Sequence, residues 1–368
     1  MSMAGVDCET QALLDRFGFD EELFERLRRR VASGELSLAS NLVSGVIEPP
    51  RPEDVTRLPA PGEPGFEEAR SVGFDALRRG EVGQVVLAGG MATRFGGVVK
   101  AVAPAIDGRS FLEAKIAQTR ELERALGVVV PVALMTSFAT DDAVREHVEE
   151  RGLGEAFVFN QFVSLRLDED GGLFRDEDDR ASPYAPGHGD LLPALRRSGT
   201  LERFRRQGVR LVTVSNVDNL GARVDPAVLG AHVLAGRPLT CEVAVKEGDL
   251  GGAPVRVDGK LQLVEGPRFP PTFDQDSVPV FNTNTAVLDV DVFDGDYDLT
   301  WLYVRKSVGD RVAIQLERLY NELSAFVPTT YLEVPRRGSR GRFLPIKTLE
   351  DLEAAQHDLR ELLSAPPV

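Results

Sequence analysis

Residues Val85 to Lys100, VVLAGGMATRFGGVVK, constrain what this chain can fold into more than any other stretch. Val85, Val86, Leu87 and Ala88 read as a strand buried on both faces. They run directly into a segment too rich in glycine to be helix or strand. Glycines at the carboxyl end of such a strand let the backbone approach a ligand closely, and successive N–H groups can then cradle an anion. Arg94 and Lys100 place two cations within that loop's reach. Two commoner phosphate motifs fail on spacing. A Walker loop needs lysine then Ser or Thr after its last glycine, but Gly97 is followed by Val98. A dinucleotide fingerprint needs G-x-G-x-x-G, which Gly89, Gly90, Gly96 and Gly97 do not form. On these residues alone, a tight glycine-rich turn stays open beside the anion loop.

The remainder of the chain supplies the setting. Apolar residues at helical spacing between Gln11 and Ser33 predict two short helices, and the Pro- and Gly-rich stretch from Pro49 to Gly65 predicts an extended connector. A helix at Phe66 to Arg79 then delivers the chain to the strand at Gln84 to Ala88. Helices follow at Ser110 to Leu126 and Asp141 to Arg151, and strands at Val128 to Met135, Ala156 to Phe159, Arg210 to Ser215 and Thr240 to Val245. This alternation predicts an α/β fold, a doubly wound and mostly parallel sheet whose ligands bind beyond the strands' carboxyl ends. Later come a hairpin through Asp258-Gly259, less regular strands after Phe281, a helix at Val312 to Leu323, a strand at Thr330 to Val334 and a last helix at Thr348 to Leu363.

A formal charge of −15 argues against a general nucleic-acid or membrane-surface binder, so any anionic ligand must meet a local basic pocket. The acidic run between Asp168 and Asp179 lacks the spacing of a calcium hand and reads as a solvated hairpin tip. Cys8 and Cys241 lie far apart, as reduced thiols of a cytoplasmic protein would, and no apolar run reaches membrane-spanning length.

Chemistry can be placed where Asn216-Val217-Asp218-Asn219 follows the strand Leu211 to Ser215. A carboxylate there, opposite a phosphate loop, suits a Mg²⁺ ion bridging phosphoryl groups, although a turn-forming aspartate satisfies the same pattern. Pro186-Gly187-His188-Gly189-Asp190 opens a helix near Leu191 and presents backbone donors beside a histidine, a residue type that is more often structural.

Taken in order, these segments resemble the UDP-sugar pyrophosphorylases, the UTP:glucose-1-phosphate uridylyltransferase type in particular. The first loop is similar to L-x-G-G-x-G-T-x-x-G-x-x-x-P-K, with Ala92 in place of the third glycine, Val99 in place of proline and one residue fewer before Lys100; Arg94 is closer to the N-acetylhexosamine branch. Phe159-Asn160-Gln161, Pro186 to Asp190, Asn216 to Ala222, Leu263-Val264-Glu265, Phe281-Asn282-Thr283-Asn284 and Phe343-Leu344-Pro345-Ile346-Lys347 carry the rest. The resemblance implies a glycosyltransferase-A-like catalytic domain over 81–368, after a helical appendage and connector over 1–80. The β-helical C-terminal domain of many relatives is missing, which suggests a monomer.

It further implies that Leu87, Ala88, Gly89, Gly90, Gln161, Gly187, Asn216 and Asp218 hold the nucleotide. His188, Lys246, Glu265, Asn282 and Asn284 would hold the sugar phosphate. Asp218 would bind Mg²⁺, and Arg94, Lys100 and Lys347 would neutralise charge during catalysis. The substrates expected are UTP and a sugar 1-phosphate, glucose 1-phosphate first, with neither nucleic acid nor membrane as partner. Two alternatives stay open: an N-acetylhexosamine pyrophosphorylase, and a non-catalytic sugar-nucleotide binder in which the altered loop no longer grips a triphosphate.

Overall fold

The computed structural model describes residues 6–92, 97–249 and 251–366. Its centre is an eight-stranded sheet of β1 (Val55–Arg57), β2 (Val82–Leu87), β3 (Val132–Thr136), β4 (Ala156–Asn160), β5 (Leu211–Asn216), β6 (Leu239–Val245), β7 (Val280–Asp289) and β8 (Thr329–Glu333), in the spatial order β1-β8-β6-β7-β5-β2-β3-β4. Neighbours run parallel except on the two sides of β7, which is antiparallel to both β5 and β6.

Period-two alternation sends successive side chains to opposite faces, and both faces are covered. Val85 and Leu87 of β2 pack with α6 (Leu191–Arg197) and α7 (Thr200–Arg206) through Leu191, Leu195 and Phe204. Val86 points the other way, onto Phe111, Leu112 and Ile116 of α4 (Phe111–Leu126). Every residue of β2 is buried for this reason. Ser110 and Glu113 close a capping box that fixes the start of α4. On the same side, α3 (Phe66–Arg78) and α8 (Pro226–Ala235) cross at a pair of glycines. A β-carbon on Gly73 would lie 1.8 Å from the Pro226 carbonyl oxygen, and one on Gly230 would lie 1.6 Å from that of Ala69.

The two N-terminal helices form as expected, as α1 (Cys8–Phe17) and α2 (Glu21–Ala32), with Asp7 and Asp20 as their N-caps. Leu14, Phe17, Phe24 and Leu27 pack on Leu165, Tyr303, Ile314 and Leu316. The connector is more than a surface wrap: Ile47–Glu48, just before it, pairs with Arg256 and Val257, and β1 within it extends the central sheet beside β8.

Four expectations are corrected. Residues Val312 to Leu323 are not a helix; Arg311–Glu317 is a strand paired antiparallel with Leu302–Val308, and Tyr320–Ala325 is a 3-10 turn. The strand through Phe281 is a regular ten-residue one, β7, and the less regular stretch begins only after Asp289, with the 3-10 turn Val290–Asp294. The last helix is two, α9 (Leu349–Ala354) and α10 (Gln356–Ser364), broken at Ala355. Within the glycine-rich loop, Met91–Ala92 and Val98–Val99 pair as a short antiparallel ribbon, so the loop is partly strand after all. The acidic run is a pair of tight turns: Asp168 accepts from the N–H groups of Asp170 and Gly172, and Asp176 from those of Asp178 and Arg180.

Candidate functional site

Strands β2, β4 and β5 end at Leu87, Asn160 and Asn216, and β7 begins at the same edge because it runs the opposite way. Leu87 to Gly90, Gln161, Asn216, Asp218, Asn282 and Asn284 therefore gather from separate segments onto one rim, as a doubly wound sheet requires.

On one side lie the first loop and Gln161. Leu87 is paired between Asn216 and Met135, the Ala88 N–H donates to the Met135 carbonyl (2.8 Å), and Ser137 Oγ donates to the Gly89 carbonyl (2.9 Å). A β-carbon on Gly89 would lie 2.6 Å from Gln161 Nε2, so a side chain there would displace the amide from its present position. Gln161 is 6% exposed, and its side-chain amide has no hydrogen-bond partner among the described residues. A buried amide left open in this way is suited to pair with a ligand's donor and acceptor edge. The Gly90 carbonyl accepts from the Lys100 N–H at 3.4 Å. Ala92 lies in the ribbon, and Arg94 falls outside the described residues.

At the centre, Lys100 Nζ donates to Asp218 Oδ2 at 2.6 Å, with both side chains mostly withdrawn from water. This charge-assisted contact joins the segments that follow β2 and β5 and leaves the second Asp218 oxygen for another cation. The loop carrying Asp218 is fixed from below by a residue that sequence reasoning missed. Lys115 of α4 is fully buried and donates to the carbonyls of Asn219 (2.7 Å) and Ala222. Burial, with Arg342 nearby, pushes its pKa down to about 7. A lysine at i+4 from Phe111 and i−4 from Thr119, on the buried stripe of an amphipathic helix, was the available signal. Asn219 is also structural: its amide donates to the Arg342 carbonyl (3.0 Å) and accepts from the Leu344 N–H (2.9 Å). That clamp seats the Phe343 to Lys347 segment beside the Asp218 loop. Lys347 itself is exposed and lines a cleft of about 400 Å³ with Arg336 and Arg337; its ammonium has no partner among the described residues.

On the other side is a polar chain. Asn284 Nδ2 donates to Asn216 Oδ1 (2.8 Å), the Asn284 N–H donates to Asn282 Oδ1 (3.1 Å), and Asn321 Nδ2 donates to both Asn284 Oδ1 (2.7 Å) and Glu265 Oε1 (3.0 Å). Burial holds the Glu265 carboxyl above the ordinary range, opposed by Asn321 and Arg268. Asn321 and Tyr320 are the second omission, concealed by the expectation of a helix there. Lys246 does not join this group; its ammonium donates to the Gln275 carbonyl at 2.5 Å.

Gly187 and His188 close the rim. Gly187 has φ 92°, and a β-carbon on it would lie 2.7 Å from the Arg318 carbonyl oxygen. Asp190, fully buried, pairs with Arg318 (2.6 Å) and accepts from the Phe162 N–H (3.1 Å), which ties this loop to the residue next to Gln161. The Tyr320 N–H donates to His188 Nδ1 at 3.1 Å, and burial pushes the ring's pKa down to about 4. A neutral imidazole accepting at Nδ1 carries its proton on Nε2, where it can be donated to a ligand.

The rim thus carries an open buried amide at Gln161 on one side, the Lys100–Asp218 pair at its centre, and the Glu265 carboxyl with the Asn216, Asn284 and Asn321 amides on the other. Residues 47–365 match the family model described as UTP–glucose-1-phosphate uridylyltransferase. The probable UTP–glucose-1-phosphate uridylyltransferase of Schizosaccharomyces pombe is 31% identical over 360 residues, covering 92% of this chain and 68% of that protein. The enzyme of that name from Hordeum vulgare is 31% identical over 297 residues, covering 75% of this chain and 62% of that protein. This chain therefore spans somewhat under to just over two thirds of the length of those relatives. Two solved structures share the fold: the UDP-N-acetylglucosamine pyrophosphorylase of Trypanosoma brucei, with TM-score 0.75 at 19% identity over 95% of this chain and 79% of that one, and the UDP-glucose phosphorylase of the same organism, with 0.73 at 23% over 94% and 78%.

Proposed function

This chain belongs to the UTP–glucose-1-phosphate uridylyltransferase family, and from that premise we propose that it makes UDP-glucose and pyrophosphate from UTP and glucose 1-phosphate. The observation that carries the reading is the Lys100–Asp218 pair, set between an open buried amide at Gln161 and the Asn216–Asn284–Asn321–Glu265 chain.

A phosphate oxygen of the sugar 1-phosphate attacks the α-phosphorus of UTP, the bond to the β-phosphate oxygen breaks, and pyrophosphate leaves with that electron pair. Both substrates are anions, so the protein's work is alignment and charge neutralisation. Gln161 orients the uracil through its unpaired amide. His188 donates its Nε2 proton in a hydrogen bond to the sugar phosphate, and Glu265 with Asn282 and Asn284 orients the sugar. Lys100, Arg94 and Lys347 offset negative charge on the phosphates. Asp218, a single carboxylate with one oxygen beyond its lysine contact, fits Mg²⁺, which typically takes one or two carboxylates and completes its shell with water and substrate phosphates. When bound, the ion would offset charge on the phosphoryl oxygens.

Among the described residues no helix is long and apolar enough to cross a membrane, and the two free thiols agree with our placing the protein in the cytoplasm. The test is a panel of sugar 1-phosphates with UTP and Mg²⁺, including N-acetylglucosamine 1-phosphate, scored by pyrophosphate release and by the sugar nucleotide formed.

A further inference from the structure

Building on that reading, we propose that Asn321 is a positioning residue that sets sugar recognition by locking the orientation of Asn284 and Glu265. Asn321 is 2% exposed, so it does not itself reach a substrate. Its two amide hydrogens face two acceptors, Glu265 Oε1 at 3.0 Å and Asn284 Oδ1 at 2.7 Å. Because both acceptors are oxygens, only one orientation of the Asn321 amide satisfies them, and its own Oδ1 is left buried without a partner.

The consequence passes along the chain. With Asn284 Oδ1 committed to Asn321, its Nδ2 is turned to Asn216 Oδ1. Asn284 sits at φ 55°, in the left-handed region, and Tyr320 Oη holds its carbonyl at 3.2 Å. One short turn thus grips three parts of the rim: Tyr320 N–H on His188, Tyr320 Oη on Asn284, and Asn321 on Asn284 and Glu265. The turn is itself anchored, since Ser324 Oγ donates to the Asn321 carbonyl and accepts from the Leu263 N–H. Without Asn321 the Asn284 amide loses the contact that fixes its rotation, and Glu265 loses a donor. On the nucleotide side the network reaches Asn216 alone, and Gln161 and Gly89, at the uracil end, are not touched by it.

The experiment compares wild-type protein with Asn321→Ala and the near-isosteric Asn321→Asp, by calorimetry with UDP-glucose and with UDP, and by KM for glucose 1-phosphate and for UTP. Both variants should bind UDP-glucose at least 10-fold more weakly with UDP affinity within 2-fold. KM for the sugar phosphate should rise while KM for UTP stays. The preference for glucose 1-phosphate over galactose 1-phosphate should shrink. Equal loss of UDP and UDP-glucose binding, or no change in sugar affinity or preference in a variant that melts as wild type does, would overturn the positioning role. Asn321→Asp keeps the shape and so covers the case in which the alanine variant does not fold. Wild-type protein that binds UDP-glucose with this Asn321 dependence but never releases pyrophosphate would overturn the uridylyltransferase reading and leave the positioning role standing. Wild-type protein that binds neither nucleotide would overturn both.

Discussion

At the scale of single residues, charge placed where it cannot be hydrated does the work. Lys100→Ala removes a cation held 2.6 Å from Asp218; turnover should fall by about 10²-fold or more, as removing one preorganised charge typically does. UDP-glucose affinity should hardly change, because that product has no γ-phosphate; calorimetry beside steady-state rates checks both. Asp218→Asn should cost a comparable factor of about 10² in turnover, with a raised Mg²⁺ requirement read from a metal titration. His188 offers a test independent of activity. Its pKa is about 4 in the fold against 6.5 for an ordinary histidine, so the unfolded chain binds the proton first. Its contribution is complete above 6.5 and is lost as pH falls toward 4, by up to about 3 kcal/mol. Denaturant melts across that window should show a shallower loss of stability in His188→Asn than in wild type.

At the scale of elements, legibility in the sequence followed the range of the interaction. Local signals placed α1 to α4, α5 (Asp141–Glu150), β2 and β5, because capping aspartates, a capping box and unbroken apolar runs are short-range features. Gln161 and Asp218 stood out because they lie just past the ends of β4 and β5, whereas Lys100 and His188 open short 3-10 turns and stood out through the residue pattern around them. Arg311–Glu317 was not legible as a strand: Val312, Ala313, Leu316, Tyr320 and Leu323 mimic a helical stripe, and only pairing with Leu302–Val308 decides otherwise. Asn321 and Lys115 were hidden for the same reason, their partners lying 37 to 107 residues away in sequence. The α3–α8 crossing is a further long-range fact that gives a sharp prediction. Gly73→Ala would drive a methyl group into the Pro226 carbonyl. Because backbone must move to relieve it, the variant should lose about 3 kcal/mol in denaturant melts, whereas Gly80→Asn, at an open position with φ 70°, should lose less than about 1 kcal/mol.

At the scale of the whole molecule, β7 running against its neighbours brings Asn282 and Asn284 onto the sheet edge where β2, β4 and β5 end, and the Lys100–Asp218 contact stands between them and Gln161. In an acidic protein of net charge −15, binding of anionic ligands depends on such local cations rather than on the overall charge. As proposed, the Lys100–Asp218 centre joins a uridine nucleotide to a sugar phosphate. Incubating the protein with UTP, Mg²⁺ and glucose 1-phosphate, and measuring pyrophosphate and UDP-glucose in the same sample, tests it most directly. The two products should appear in equal amounts, faster than with N-acetylglucosamine 1-phosphate, and should vanish with EDTA. Pyrophosphate formed with no sugar 1-phosphate of a broad panel, from protein that still binds UDP-glucose, would contradict it.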